Sequence, residues 1–273
     1  MSHVHWHQLA RALADGPAVL VTVEAVQGSG PREVGAWMAV LPDAVINTIG
    51  GGQLEFQAID EARAMLAEGV AAEPVKRYPL GPSLGQCCGG VVHLRYQCVQ
   101  ASDIAVLQER LFGAHAPVAL FGGGHVGKAL IHVLGTLPLS VTWVDSRDEI
   151  FPAVLPLNVQ CEHSDPVHAA VADLRPGTQV LIMSFSHAED LDVVAACLQR
   201  QRRLGDLPYI GLIGSKTKWA TFRHRLAARG FNEAEMAWVT SPIGLPDIGG
   251  KEPEVIAVSV AAQLLQAIRS GKP

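Results

Sequence analysis

The chain has 273 residues, which at about 150 residues per domain makes roughly two domains. Lys and Arg number 21 against 26 Asp and Glu, a formal net charge of −5. That excludes a chain-wide footprint for nucleic acid or an anionic membrane, though not a local basic pocket. Hydrophobic residues make up 49% and charged residues 17%, ample for buried cores and too apolar for a disordered chain. The most apolar run, Val255 to Ile268, is broken by Ser259, Gln263 and Gln266, so no membrane span is expected. The first residues, MSHVHWHQLARAL, lack a basic stretch followed by an apolar one, and five cysteines at irregular spacing do not read as a disulfide framework. A soluble cytoplasmic protein is expected.

In chain order, Trp6, Leu9, Ala10 and Leu13 recur at helical spacing and predict a helix from Trp6 to Ala14, stopped by Gly16-Pro17. Ala18 to Val26 reads as a buried strand. Ala36 to Leu41 and Val45 to Ile49 read as a hairpin turning at Pro42-Asp43. Gly50-Gly51-Gly52 opens a helix running to about Glu68 and ended by Gly69. Val75 to Tyr78 and Val91 to Val99 are further strands, separated by the Gly/Pro-rich segment LGPSLGQCCGG. This irregular mixture predicts an α+β domain over residues 1–113, closed by an amphipathic helical connector from Ser102 to about Gly113. From residue 114 onward the pattern becomes regular. Strands are predicted at Val118–Phe121, Val141–Val144, Val180–Met183, Tyr209–Ile213 and Ala237–Val239, most of them separated by helical stretches. Alternating β and α segments predict a Rossmann-like, doubly wound parallel sheet over residues 114–273. The fold class is α/β.

The segment VALFGGGHVG places Gly122, Gly124 and Gly127 in a G-x-G-x-x-G frame between an apolar strand and an apolar helical run. Gly122 permits a tight turn, Gly124 a close approach of backbone to a phosphate, and Gly127 close packing of helix on strand. Amides at the helix N-terminus then face an anion. Asp145 ends the next strand, where a carboxylate can take a ribose hydroxyl, while Arg147 works against a strict preference for an unphosphorylated ribose. The ligand expected here is a nucleotide or NAD(P). The alternative is a loop of this type that binds nothing.

A second glycine cluster, TIGGGQLE, lets Gly50, Gly51 and Gly52 form another anion nest, unless Glu55 simply complements the helix dipole. GSGPRE, after the first strand, sets Arg32 beside a loop able to meet a phosphate or carboxylate. Gly85-Gln-Cys-Cys-Gly-Gly90 is the distinctive feature. Its adjacent cysteines, Cys87 and Cys88, lack the spacing of a zinc ribbon. In a Gly-rich loop they suit a nucleophile, a redox pair or a soft ligand to a thiophilic metal such as molybdenum. Cys98, Cys161 and Cys197 read as core residues. His187 and Asp190 follow the apolar strand VLIM, at the carboxyl edge where doubly wound sheets bind ligands; His187 is a cofactor-binding candidate, and Asp190 reads as a helix cap. Ser215 and Lys216, with Lys218, lie in GSKTK at another strand end suited to a phosphate.

Taken in order, GSGPREVGAWMAV, IGGGQLE, LGQCCGGVV, LFGGGHVG, SHAEDLD and GLIGSKTK resemble the XdhC family of xanthine dehydrogenase accessory proteins, over about residues 8 to 268. The resemblance implies an N-terminal XdhC/CoxI-type domain, a C-terminal Rossmann domain and, in some members, a dimer. It implies a cytoplasmic chaperone that binds the molybdenum cofactor, a molybdopterin, holds it while a cysteine desulfurase adds sulfur, and delivers it to apo xanthine dehydrogenase. By motif, Cys87 and Cys88 are the thiols beside the cofactor and its molybdenum. Gly50–Gly52 and Arg32 line the same region by chemistry rather than by motif. Where many relatives carry a second histidine this chain has Phe185, which disfavours a two-histidine metal site. Two other functions fit the residues: an NAD(P)-dependent oxidoreductase with redox-active cysteines, and a redox-sensing regulator that binds a nucleotide. The oxidoreductase lacks a Tyr-x-x-x-Lys relay at Tyr78, Tyr96 or Tyr209.

Overall fold

The computed structural model describes residues 3–69, 74–80, 90–112 and 115–270. It divides into two compact units, residues 1–113 and 114–273. Among the described residues no helix is long and apolar enough to cross a membrane.

The first unit is an antiparallel sheet with helices on both faces. Helix α1 (His3–Asp15) leads into β1 (Ala18–Gln27), followed by β2 (Trp37–Val40), β3 (Val45–Asn47), α2 (Gly52–Glu68), β4 (Val75–Pro79), β5 (Val91–Val99) and α3 (Ile104–Phe112). The strand order is β3-β2-β1-β5-β4, every pair antiparallel. Period-two alternation assigns the faces. Val19, Val21 and Val23 join Leu54, Ala58 and Ala62 of α2, whereas Ala18 and Leu20 join Trp6, Leu9 and Leu13 of α1 and Leu107 of α3. Gly69, at φ 64°, caps α2 in the left-handed conformation that glycine adopts most readily.

The second unit is a parallel, doubly wound sheet. Its elements are β6 (Ala116–Phe121), α4 (His125–Leu134), β7 (Leu139–Asp145), β8 (Val159–His163), β9 (Gln179–Ile182), α5 (His187–Leu204), β10 (Tyr209–Leu212), α6 (Lys216–Ala228), α7 (Glu233–Met236), β11 (Val239–Thr240) and α8 (Pro253–Ser270). The order β11-β10-β9-β6-β7-β8 is the Rossmann arrangement read from its far edge. The chain therefore reverses its direction of winding between β6 and β9. Leu130, Ile131 and Leu134 of α4 pack with Ala257, Val260 and Leu264 of α8 on one face; α5, α6 and α7 cover the other.

Strand β8 escapes the sequence reading. It is an edge strand whose Gln160 and His163 are exposed, with only Val159 buried, so it carries no apolar run. The connections flanking it hold only 3₁₀ turns, Asp148–Ile150 and Val167–Asp173, where regular alternation predicts helices.

Arg200 anchors the second of these turns to α5. Its guanidinium donates to the carbonyls of Val171, Ala172 and Leu174 and forks onto Asp206, with a side chain only 6% exposed. Removing it orphans three carbonyls and a carboxylate together. Arg200→Met should therefore cost about 3–5 kcal/mol. Arg202→Ala, at a side chain 50% exposed, should cost far less than Arg200→Met. Denaturant unfolding of both variants checks the contrast, and equal losses would contradict it.

Candidate functional site

In the first unit three glycine-bearing motifs meet. A Cβ on Gly50 would lie 2.5 Å from Cβ of Pro31 and 3.3 Å from Cγ of Arg32, so the IGGG and GSGPRE loops are in direct contact. A Cβ on Gly90 would lie 2.1 Å from the carbonyl oxygen of Ser29, which brings the end of the GQCCGG motif against the same loop. The amide of Leu80 donates to the carbonyl of Gly90 at 2.7 Å and joins the two chain ends that flank residues 81–89. Cys87 and Cys88 themselves lie outside the described residues.

The GGG turn meets a carboxylate of its own helix, Glu55, through the Gly51 amide. Gly50, Gly51 and Gly52 all have positive φ. The amides of Ile49 and Gly51 donate to Glu55 Oε2 at 2.9 and 3.1 Å, and the Thr48 hydroxyl donates to the same oxygen. Gly50 N donates to the Thr48 hydroxyl, so of the two readings of this turn the geometry supports the one in which Glu55 serves the start of its own helix.

Arg32 is half-committed. Nε and Nη2 donate to Glu33 and Nη1 donates to the Thr48 carbonyl, with a side chain 35% exposed. It lines a cavity of about 480 Å³ with His5, Trp37, Asn47, Thr48 and Leu111. That volume is within the usual range for a small-molecule site.

In the second unit the carboxyl ends of the central strands form the crevice expected of a doubly wound sheet. Gly122 has φ 120°, and a Cβ there would lie 1.9 Å from the carbonyl oxygen of Met183. A Cβ on Gly127 would lie 2.2 Å from the carbonyl oxygen of Gly122. Gly124 differs from both. It caps α4 at φ −68° without a side-chain hydrogen bond, and a Cβ there would meet nothing within 4 Å.

Asp145, only 1% exposed, has both oxygens engaged inside the protein. Oδ1 accepts from Arg147 N and Nε at 3.0 and 2.9 Å; Oδ2 accepts from Gly123 N at 2.6 Å and Arg147 Nη2 at 3.0 Å. Burial opposes its ionisation, but the Arg147 side chain and the Arg147 and Gly123 amides outweigh it and hold the carboxyl below the usual aspartate range. The carboxylate expected to take a ribose hydroxyl instead ties the glycine loop to Arg147.

The next strand ends are also self-satisfied. Ser186 caps α5 by accepting from the Glu189 amide, so the cap assigned to Asp190 belongs to Ser186. Asp190 is buried instead, accepting from Ser184 N at 2.7 Å and Lys218 Nζ at 2.6 Å. Lys218 also donates to the Ile213 carbonyl, so the anion beside this helix start is again the protein's own. Ser215 caps α6, and Lys216 is exposed at its first residue. His187 is exposed and packs edge-on to Phe222, 6.3 Å between centroids.

Sequence reasoning misses Glu189 and Phe185. Glu189 bridges two strand ends, accepting from Ser146 Oγ at 2.7 Å and Phe185 N at 3.1 Å. The signal for it is SHAE, a capping-box pattern. Phe185 is 67% exposed and lies 4.4 Å below the Arg147 guanidinium. Cys197 is fully buried, which pushes its thiol up to about 12, and burial also raises Cys98 and Cys161. None of these three has the environment of a nucleophile.

Two outcomes test this geometry. Gly127→Val should destabilise the fold by several kcal/mol through backbone overlap, whereas Gly124→Ser, which meets nothing within 4 Å and suits a helix cap, should unfold like the wild type. Asp145→Asn should cost about 1–3 kcal/mol at pH 7. Because the folded-state pKa of Asp145 is lowered, its contribution is present above the ordinary aspartate value, about 3.9, and is lost as pH falls through the folded value. The gap between Asp145→Asn and wild type should therefore narrow in acid, as read by denaturant unfolding at a series of pH values.

A family model described as the XdhC Rossmann domain matches residues 118–264. A second, described as the XdhC and CoxI family, matches residues 12–79. The uncharacterized protein YqeB of Escherichia coli (strain K12) is 25% identical over 255 residues, covering 92% of this chain and 43% of that protein. The chain thus spans less than half the length of this relative. A crystal structure described as a xanthine dehydrogenase from Bacillus halodurans is similar at a TM-score of 0.78 and 22% identity, over 100% of this chain and 97% of that one. At that identity the likeness is one of fold. Both halves of the sequence match models of one family, one of them over more than half the chain, and the chain belongs to the XdhC family.

Proposed function

We propose that the chain is an accessory factor for xanthine dehydrogenase maturation. Its cargo is the molybdenum cofactor, which it holds while a cysteine desulfurase supplies sulfur and then passes to the apoenzyme, acting as a monomer or a homodimer in the cytoplasm. The observation that carries this reading is the meeting of three motifs in the first unit: Gly50 against Pro31 and Arg32, and Gly90 against Ser29. Cys88 precedes Gly90 by two residues in the sequence. In this reading Cys87 and Cys88 supply soft sulfur to molybdenum, and Arg32, at the edge of a 480 Å³ cavity, supplies charge to the cofactor phosphate. The glycines at 50–52 fit a different role from the one the sequence suggests. They shape the loop around Glu55 and press it against Pro31, and so position Arg32 without themselves holding the phosphate.

Asp145 weakens the rival oxidoreductase reading in its NAD form, the one that needs a carboxylate for the ribose hydroxyl. Its two oxygens already accept four hydrogen bonds from Gly123 and Arg147, so a ribose diol would have to displace one of them.

Protein purified from a molybdopterin-proficient host should carry molybdenum and release a fluorescent pterin. Cys87→Ala with Cys88→Ala should fold normally and retain at least tenfold less molybdenum per protein, with serine replacements failing similarly because a hydroxyl lacks sulfur's softness. The wild type should raise the activity of cofactor-free xanthine dehydrogenase and show no hydride transfer from xanthine to NAD or NADP by itself. Full molybdenum retention by the double variant, or autonomous purine oxidation, would overturn the proposal.

A further inference from the structure

We propose that the groove between the 3₁₀ turn Val167–Asp173 and helix α5 binds a carboxylate carried on a short aliphatic body, with Arg203 as the residue that holds the charge. The groove lies toward the amino ends of the strands and uses none of the groups assigned to the cofactor.

Topology sets its place. Helix α5 leaves the carboxyl end of β9 and runs back toward the start of β10, and the 3₁₀ turn precedes β9. Between them is a cavity of about 400 Å³, within the usual range for a small-molecule site. Its two walls are joined before any ligand arrives. Arg200 donates from α5 to the carbonyls of Val171, Ala172 and Leu174 and to both oxygens of Asp206. Those bonds use every N–H of its guanidinium. Arg200 therefore fixes the shape of the groove and leaves recognition to other side chains.

The side chains with donors to spare are His168 on one wall and Gln199 and Arg203 on the other. Gln199 and Arg203 are exposed and His168 is half-buried; among the described residues none of the three makes a hydrogen bond or an ion pair. Ala169, Val171 and Ala196 supply the apolar lining, and no described carboxylate lines the groove. The nearby Asp206 has both oxygens taken by Arg200. In a chain of net charge −5, a cavity with cationic and amide donors, aliphatic walls and no acid of its own is complementary to an anion with an apolar body.

The end of α5 decides which anion. Arg202 and Arg203 stand in its last turn, where a cation complements the negative end of the helix dipole. That accounts for an arginine at the end of α5 but leaves the cavity and the unpaired His168 and Gln199 unexplained. The same negative end opposes a doubly charged phosphate more than a singly charged carboxylate. A planar guanidinium matches the two carboxylate oxygens, and His168 and Gln199 can each add a donor.

A free organic acid and a glutamate side chain of a partner protein share this chemistry, and titration of the full chain separates them. The probes are glutarate, its uncharged diamide, inorganic phosphate and a capped peptide of alternating glutamate and alanine, each followed by calorimetry. Glutarate or the peptide should bind at least ten times more tightly than the diamide and the phosphate, and the tighter of the two identifies the source. Arg203→Gln should weaken that ligand about tenfold, as the loss of a charged hydrogen bond requires. Arg225→Gln removes the same charge from the exposed surface of α6 and should leave binding unchanged. No binding of either carboxylate probe, equally tight binding of phosphate or the diamide, wild-type affinity in Arg203→Gln, or an equal loss in Arg225→Gln would each overturn the proposal.

Discussion

The carboxylate of Asp145 is the constraint on which the C-terminal crevice depends. It is buried at the end of β7 and accepts the Gly123 amide, so the glycine loop after β6 cannot move without breaking a charge-assisted bond. The same carboxylate draws in Arg147, whose guanidinium then covers Phe185 from the loop after β9. One group therefore fixes three strand ends. Around it the backbone tolerates no slack, since Gly122 and Gly127 bring carbonyl oxygens within about 2 Å of where a Cβ would stand. The crevice is shaped by sterics at its floor and by electrostatics at its wall.

A comparable logic separates the two glycine-rich loops. Both begin helices and both direct amides toward a negative charge. In the first unit that charge is Glu55, placed in the first turn of the helix that the loop begins. There the glycines serve conformation, because three successive positive φ angles let the chain wrap around a carboxylate. The outcome is a rigid corner pressed against Pro31, which fixes where Arg32 leaves the backbone. A nest of this kind contributes to function by positioning a neighbour.

Much of this was legible in the sequence, and the boundary has a physical cause. Hydrophobic periodicity reports burial, so α2 ending at Gly69, the hairpin across Pro42-Asp43 and the Rossmann sheet could all be read from apolar spacing. Strand β8 could not, because an edge strand buries little and carries little signal. The ordered motifs gave the family, since their combination is far more specific than any one of them. Sequence spacing does not report which partner satisfies a charge. Asp145 meets Gly123 from 22 residues away, and Asp190 meets Lys218 from 28. Both carboxylates looked available in one dimension and are engaged in three. Ser186 and Glu189 were the exception, a local pattern that could have been found and was masked by the neighbouring Asp190.

Helices α2 and α4 begin at a glycine cap with no side-chain hydrogen bond. Ser186 caps α5 and Ser215 caps α6, each accepting from an amide of its helix's first turn, whereas Glu55 takes the amides of Ile49 and Gly51, which precede α2. Helix α4 begins at Gly124 with no side-chain cap. A serine or aspartate there would be sterically free, because φ is −68° and nothing stands within 4 Å of a Cβ. It would stabilise the helix by only about a few tenths of a kcal/mol, because glycine itself ranks close behind these residues as a cap. Gly122 and Gly127 are glycine because the backbone demands it; Gly124 is glycine at little cost to local stability. The three glycines of one motif therefore answer to different demands, two of them to backbone atoms within about 2 Å of a Cβ and the third to no contact at all.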